Sequence, residues 1–229
     1  MSPVTKNGPN DASALGPKPL LRGWSHVVAA IGAVLFTGAV AVRCAGDPPR
    51  LISMLVYGLS MIAWYAGSAA YHIGTWSTSR LRVLRALDHS NIFLLIAGTT
   101  TPIAVNVLTG WERPLVLGLI WTLAGTGLAL TVLIDRLSRR VRVGLYVGTG
   151  LANLVAAPTL FVTLPPTPVF LLGLGGALYT LGAVIYARRW PNPLPRILGH
   201  HEIFHLLVIA AGAAFATAIW FWVVPYARR

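Results

Sequence analysis

Seven apolar stretches of about 18 to 25 residues recur along the chain, at 24–42, 51–74, 88–109, 114–134, 143–163, 167–187 and 200–224. A helix of that length crosses a hydrocarbon core of about 30 Å. Only helices and closed barrels satisfy every backbone polar group in lipid, and continuous apolar runs of this length are the helical solution. The connections are short, so successive helices lie antiparallel. The runs therefore predict an all-α membrane protein, a seven-transmembrane-helix bundle occupying residues 20–229. Residues 1–19 are polar and rich in Pro, Gly, Asn and Ser, which predicts a disordered cytoplasmic tail with no cleaved signal peptide.

Composition supports this reading. Charged residues make up 10% of the 229, against about 25% in a soluble domain. The formal charge of +12 does not indicate nucleic acid, because the basic residues stand in short clusters between apolar runs rather than along one face. Their distribution reads as topology. Lys6, Lys18, Arg22, Arg80, Arg82, Arg85, Arg136, Arg139, Arg140, Arg142, Arg188, Arg189 and Arg196 flank one side. Arg43, Arg50, Arg113, Arg228 and Arg229 flank the other. By the positive-inside rule the richer side is cytoplasmic, which puts the N-terminus inside and the C-terminus outside. A multi-pass protein of the cell membrane follows, with membrane lipids as its surroundings.

Several residues read as architecture. Trp24, Trp76, Trp111 and Trp190 fall at predicted interfaces, where an amphipathic ring is favoured. Gly144 with Gly148, and Gly173, Gly175 and Gly176, suit close helix contacts within one bundle or between two. Pro102 and Pro158 predict kinks in helices three and five, with Thr99, Thr100 and Thr101 placed to satisfy carbonyls near Pro102. Cys44 is the single cysteine, which excludes an intrachain disulfide. It reads as a thiol near the membrane surface.

The histidines are the least random feature. His26, His72, His89, His200, His201 and His205 all fall at helix ends assigned to the cytoplasmic side. His201 and His205 are four apart, so one helical face carries both imidazoles. Ser68 and His72 share a face of helix two in the same way. Asp88 opens helix three, and a carboxylate entering the membrane usually has a partner or a function. Three neutral imidazoles in a dry bundle make a good ligand set for Zn2+, with a fourth position left to water. Asp88 is placed to handle that water's protons, and Ser68 to donate to it or to a substrate carbonyl. His201-Glu202-Ile203-Phe204-His205 also reads as H-E-x-x-H, the metalloprotease signature with Glu as general base. Residues 206–229 hold no His, Asp, Glu or Cys, so a third ligand must come from earlier helices, from His72 or Asp88. His26, His89 and His200 read as structural.

Five segments together resemble the haemolysin III branch of the progestin and adipoQ receptor family. They are Leu21-Arg22-Gly23-Trp24-Ser25-His26, Ser68-Ala69-Ala70-Tyr71-His72, Leu87-Asp88-His89-Ser90, Ala97-Gly98-Thr99 running to Thr101-Pro102, and His200 through His205. The resemblance implies seven helices and a cytoplasmic-side zinc held by His72, His201 and His205. It matches Asp88 to a carboxylate that engages the metal's water, and Ser68 to a serine on the site's rim. It also implies kinship with alkaline ceramidases, hence hydrolysis of a lipid amide. Thr100 departs from the Tyr frequent in bacterial relatives, away from the proposed metal. The expected function is a zinc-dependent hydrolase acting on a lipid amide or ester that enters sideways between helices. The alternatives are a non-enzymatic sensor with a structural zinc, or a haemolysin-like pore. A pore finds few polar residues at mid-depth beyond Asn153 and Thr99 to Thr101.

Overall fold

A computed structural model describes residues 23–134, 137–194 and 197–228. The predicted tail at 1–19 lies outside the described residues. Everything longer than a turn is helical: α1 (Trp24–Arg43), α2 (Pro48–Ile73), α3 (Thr78–Asn106), α4 (Glu112–Leu133), α5 (Arg139–Leu151), α6 (Ala157–Thr163), α7 (Pro166–Arg188) and α8 (His200–Ala218). A 3-10 segment, Ala152–Ala156, joins α5 to α6 as one rod, and a π segment, Ile219–Val223, extends α8. Among the described residues there is no strand.

Six of the seven rods are long and apolar enough to cross a membrane: Trp24–Arg43, Pro48–Ile73, Glu112–Leu133, Arg139–Thr163, Pro166–Arg188 and His200–Val223. The chain is thus a multi-pass membrane protein. α3 falls short because its first half carries Arg80, Arg82, Arg85 and Asp88 and its second half, though uncharged, is diluted by His89, Ser90, Asn91, Thr99, Thr100, Thr101, Pro102 and Asn106. It also begins ten residues earlier than its apolar run suggested, at Thr78 rather than 88. Hydropathy marks only the part of a helix that prefers lipid, whereas arginine is a good helix former and extends the helix into the polar zone.

Local chemistry sets the helix starts. The Asp47 side chain accepts the Arg50 N–H at 3.2 Å, and Pro48 and Pro49 occupy the first turn of α2, where a missing N–H costs nothing. Ser138 caps α5 by accepting the Val141 N–H at 3.3 Å. The fifth rod leaves the α register at the 3-10 segment just before Pro158, whose lack of an N–H suits the first turn of α6. α3 passes through Pro102 unbroken. Thr99, Thr100 and Thr101 donate to the carbonyls of Leu95, Ile96 and Ala97. They act a turn before the carbonyl that Pro102 frees, which belongs to Gly98.

α2 packs on both α1 and α3, while α7 packs on α8 and α3 on α4. One core joins Tyr57, Met61 and Trp64 of α2 to Val208 of α8. A second joins Phe93 of α3 to Ile120 of α4 and Tyr146 of α5. At the end remote from the histidines, Arg50 donates to the carbonyls of Val224 (2.7 Å) and Tyr226 (2.6 Å) and to Asn106 Oδ1 (3.2 Å). These carbonyls follow the last helix, where no intrahelical donor remains. The interfacial Trp24, Trp76, Trp111 and Trp190 are all exposed at helix ends, as expected. The glycine reading is narrowed for contacts within the bundle. Gly175 packs against Phe215, but nothing approaches within 4 Å of where a Cβ would stand on Gly144, Gly148, Gly173 or Gly176. The spacing was right for a contact that the bundle does not make.

Candidate metal centre

The first core draws α2 against α8, and with them three histidines. His72 ends α2; His201 and His205 share one face of α8. The nearest ring nitrogens of the three lie within 4.8 Å of one another. Ring centroids are 4.8 Å apart for His72–His201, 5.1 Å for His72–His205 and 4.5 Å for His201–His205. His72 Nε2 and His201 Nε2 stand 3.2 Å apart. Two imidazole nitrogens about 2.0–2.1 Å from a tetrahedral zinc lie roughly 3.3 Å from each other. The donor set suits that ion, and the His72–His201 spacing matches it, in a trio whose nitrogens lie within 4.8 Å of one another.

Ser68 is buried one turn before His72 on α2, and Asp88 faces it from α3. Ser68 Oγ lacks a hydrogen bond of regular geometry, yet stands close enough to the Asp88 carboxylate to interact with it. Both line the cavity onto which His72, His201 and His205 open. The sequence-predicted residues therefore share one chamber, the three imidazoles in mutual contact and the Ser–Asp pair on the wall.

Glu202 has a different position from that of a metalloprotease base. It is buried, and its Oε2 accepts the Gly199 N–H at 3.0 Å, the carboxylate half of a capping box at the start of α8. The H-E-x-x-H pattern is here a helix start that carries two histidines of the cluster. His200 points away, with its Nδ1 2.9 Å from Asn192 Oδ1.

His26, read as structural, proves part of the cluster. It is fully buried, and its ring lies on that of His205 with centroids 4.0 Å apart. Trp64 and Tyr65 meet it edge-on at 5.6 and 5.4 Å. Neither of its nitrogens has a hydrogen-bond partner. Gly23, just before α1, has φ +88°, and a Cβ there would stand 3.1 Å from His72 Cβ. The first turn of α1 thus buttresses two of the three imidazoles. His89 forms a separate group: its Nδ1 lies 2.6 Å from the Arg85 carbonyl and its Nε2 3.3 Å from the Tyr186 hydroxyl. Tyr186 reaches back to His201, with centroids 5.8 Å apart. Nothing in the sequence singled out Tyr186, since a lone tyrosine at a helix end is ordinary at an interface.

The cavity is large, about 1710 Å³, and runs from Thr75 and Trp76 past Thr99 and Thr100 to Leu108 and Val116. Drug-sized pockets span about 300–1,000 Å³. Its wall is mainly apolar. Asn153 and Thr100 make a polar point at mid-depth, joined by a 2.6 Å hydrogen bond.

Fold and site together define a multi-pass helical membrane protein with a three-histidine cluster where its second and last helices meet. The chain belongs to the family described as Haemolysin-III related, whose profile matches residues 16–216. It is 32% identical over 202 residues to Hemolysin-3 of Bacillus cereus, covering 86% of this chain and 89% of that one. It is 30% identical over 179 residues to the Hemolysin-3 homolog of Bacillus subtilis (strain 168), covering 78% and 81%. An adiponectin receptor protein of Drosophila melanogaster matches at 29% over 211 residues, covering 82% of this chain and 47% of the receptor. The last match joins the bacterial branch to the progestin and adipoQ receptors.

Proposed function

We propose that this protein is a zinc-dependent hydrolase of lipid amides, ceramidase-like in chemistry, in the plasma membrane. The observation that carries this reading is the convergence of His72, His201 and His205 on a lipid-sized apolar chamber that also holds Asp88 and Ser68. Seven spans with the N-terminus inside accompany it. The second half of α3 lies among other helices, with Phe93, Ala97 and Ala104 buried in a shared core, so it needs less apolar surface than a lipid-facing span.

The three imidazoles would hold the ion. Zinc bound there would supply Lewis acidity and bring the pKa of a coordinated water toward about 7. Ser68 donates a hydrogen bond to the substrate carbonyl oxygen as negative charge develops on it. Asp88 takes a proton from the attacking water as the C–O bond forms. It returns that proton to the nitrogen as the C–N bond breaks, leaving a fatty acid and an amine. The apolar walls take the acyl chain and exclude bulk water.

The test is metal content and turnover on the purified protein. Wild type should carry near one zinc per chain and release fatty acid from a ceramide. His72→Ala, His201→Ala and His205→Ala should each lose both. Full zinc with no turnover of any lipid amide or ester would favour the sensor reading, in which the metal clamps α2 to α8. The pore reading is supported by the relatives' names and by little in the cavity wall.

A further inference from the structure

On the histidine side of the cavity, Arg85 on its wall and Arg139 and Arg142 of α5, whose Val143 and Tyr146 also line it, all act on His89. Arg85 lines the cavity beside His89 and Tyr186. Arg139 lies over the Tyr186 ring, 5.1 Å from its centroid, with Nη1 3.5 Å from the Tyr186 carbonyl. Arg142, three residues along α5 and so on the same face, donates from Nη2 to the Leu137 carbonyl at 3.2 Å. Its Nε is buried and has no acceptor among the described residues. All three arginines lie within electrostatic reach of His89.

Among the described residues these cations form no ion pair. The ion pairs among those residues join Asp47 to Arg50 and Arg228, at the opposite end of the bundle. Asp88 reaches the same neighbourhood, acting on Tyr146 together with Arg142, so among the described residues three guanidiniums face one carboxylate. The first-turn N–H groups of α5 add positive potential on the same side. Membrane topology accounts for exposed arginines such as Arg140 and Arg188, which stand in solvent. It does not account for a buried guanidinium edge with nothing to donate to, since such groups are normally paired.

We propose that Arg85, Arg139 and Arg142 form a phosphate-binding site on the histidine side of the cavity, and that it takes the headgroup of an anionic lipid whose chains lie in the chamber. Guanidinium forks match phosphate oxygens in geometry and charge. The apolar cavity wall that begins beside Arg85 and includes Val143 of α5 favours a lipid phosphate over a free one. The proposal rests on reading the cavity as a lipid chamber, but not on turnover.

The experiment titrates the full-length protein, in neutral detergent, with dioleoylphosphatidylglycerol or dioleoylphosphatidylcholine and counts retained lipid by native mass spectrometry. Inorganic phosphate serves as competitor, and zinc content is measured on the same samples. The wild type should retain phosphatidylglycerol at least tenfold more tightly than phosphatidylcholine. Arg85→Gln, whose side chain is exposed and whose fold is not at risk, and Arg142→Gln should each cut that preference severalfold, and the triple variant with Arg139→Gln should abolish it. Arg140→Gln should leave it unchanged. If inorganic phosphate binds and is lost in the same variants while the two lipids bind alike, the site is upheld and the lipid source is rejected. Equal lipid binding with no phosphate binding overturns the proposal, as does a preference that survives the triple variant. A zinc-free protein that keeps its lipid preference would count against the hydrolase reading alone.

Discussion

The imidazole of His26 lies on that of His205 with ring centroids 4.0 Å apart and planes inclined by 34°. α1 thereby backs a histidine of the candidate metal cluster carried by α8, although the two helices are at opposite ends of the chain. The contact is made by ring faces, since neither His26 nitrogen is hydrogen-bonded. A buried polar atom without a partner costs about 1–3 kcal/mol. His26→Phe keeps an aromatic ring there and removes both unpartnered nitrogens, a gain that offsets the cost of fitting a slightly larger ring, so it should unfold near the wild-type temperature and keep its zinc. His26→Ala opens a void beside His205 and should lose about 2–4 kcal/mol, with weaker zinc retention. Thermal unfolding in detergent, followed with zinc content, checks both. A His26→Phe protein that unfolds well below wild type would show that the nitrogens matter.

Gly23 gives the same buttress a backbone test. Its φ of +88° lies where side chains are strained, and a Cβ would stand 2.7 Å from Ile73 Cγ1 and 3.1 Å from His72 Cβ. Gly23→Ala must therefore move α1 away from the end of α2. The expected cost is at least about 1 kcal/mol, with zinc affinity lowered severalfold as His72 loses its support. Gly38→Ala, in open space within α1, should leave zinc binding unchanged.

The architecture was legible because span length is a property of the sequence alone. Seven apolar runs became seven rods, and the i, i+4 pair of His201 and His205 needed only helical geometry to share a face. Polar helix extensions were not legible, so α3 was read ten residues short. Contacts between helices were harder still. His26 and Tyr186 each face another element, and no local pattern marks which side of a helix that element will cover. Gly144 and Gly148 show the converse, a packing motif that meets open space. Glu202 shows that a five-residue pattern holds two readings, cap or base, until its hydrogen-bond partner is seen.

Cys44, at the end of α1, provides a probe of packing by pH. The thiol is 2% exposed. Burial pushes its pKa above the ordinary value, an effect that outweighs the opposing influence of Arg50 and Arg43. Only the thiolate attacks a maleimide. A raised pKa means less thiolate at pH 7.5 in the folded protein than in the unfolded one. Folded protein should label at less than about a tenth of the denatured rate, by thiolate fraction and access together. Its rate should go on rising with pH after the denatured protein's rate has levelled. Equal rates at pH 7.5 would mean that the turn between α1 and α2 opens freely.

Asp88 and Ser68 separate chemistry from metal binding, because neither is one of the three imidazoles. Asp88→Asn keeps the shape and removes the base, so zinc content should stay at the wild-type level. A general acid–base group contributes about 10²–10⁴-fold, and kcat for ceramide hydrolysis should fall within that range. Ser68→Ala removes one donor to the carbonyl oxygen. It should lower kcat by about tenfold, less than the loss of a full oxyanion-hole donor, because zinc would share that charge. Since Ser68 also faces Asp88, the double variant should lose less than the product of the two single losses. Full activity in Asp88→Asn with zinc in place would remove this carboxylate from the mechanism and leave the imidazole cluster as a helix clamp.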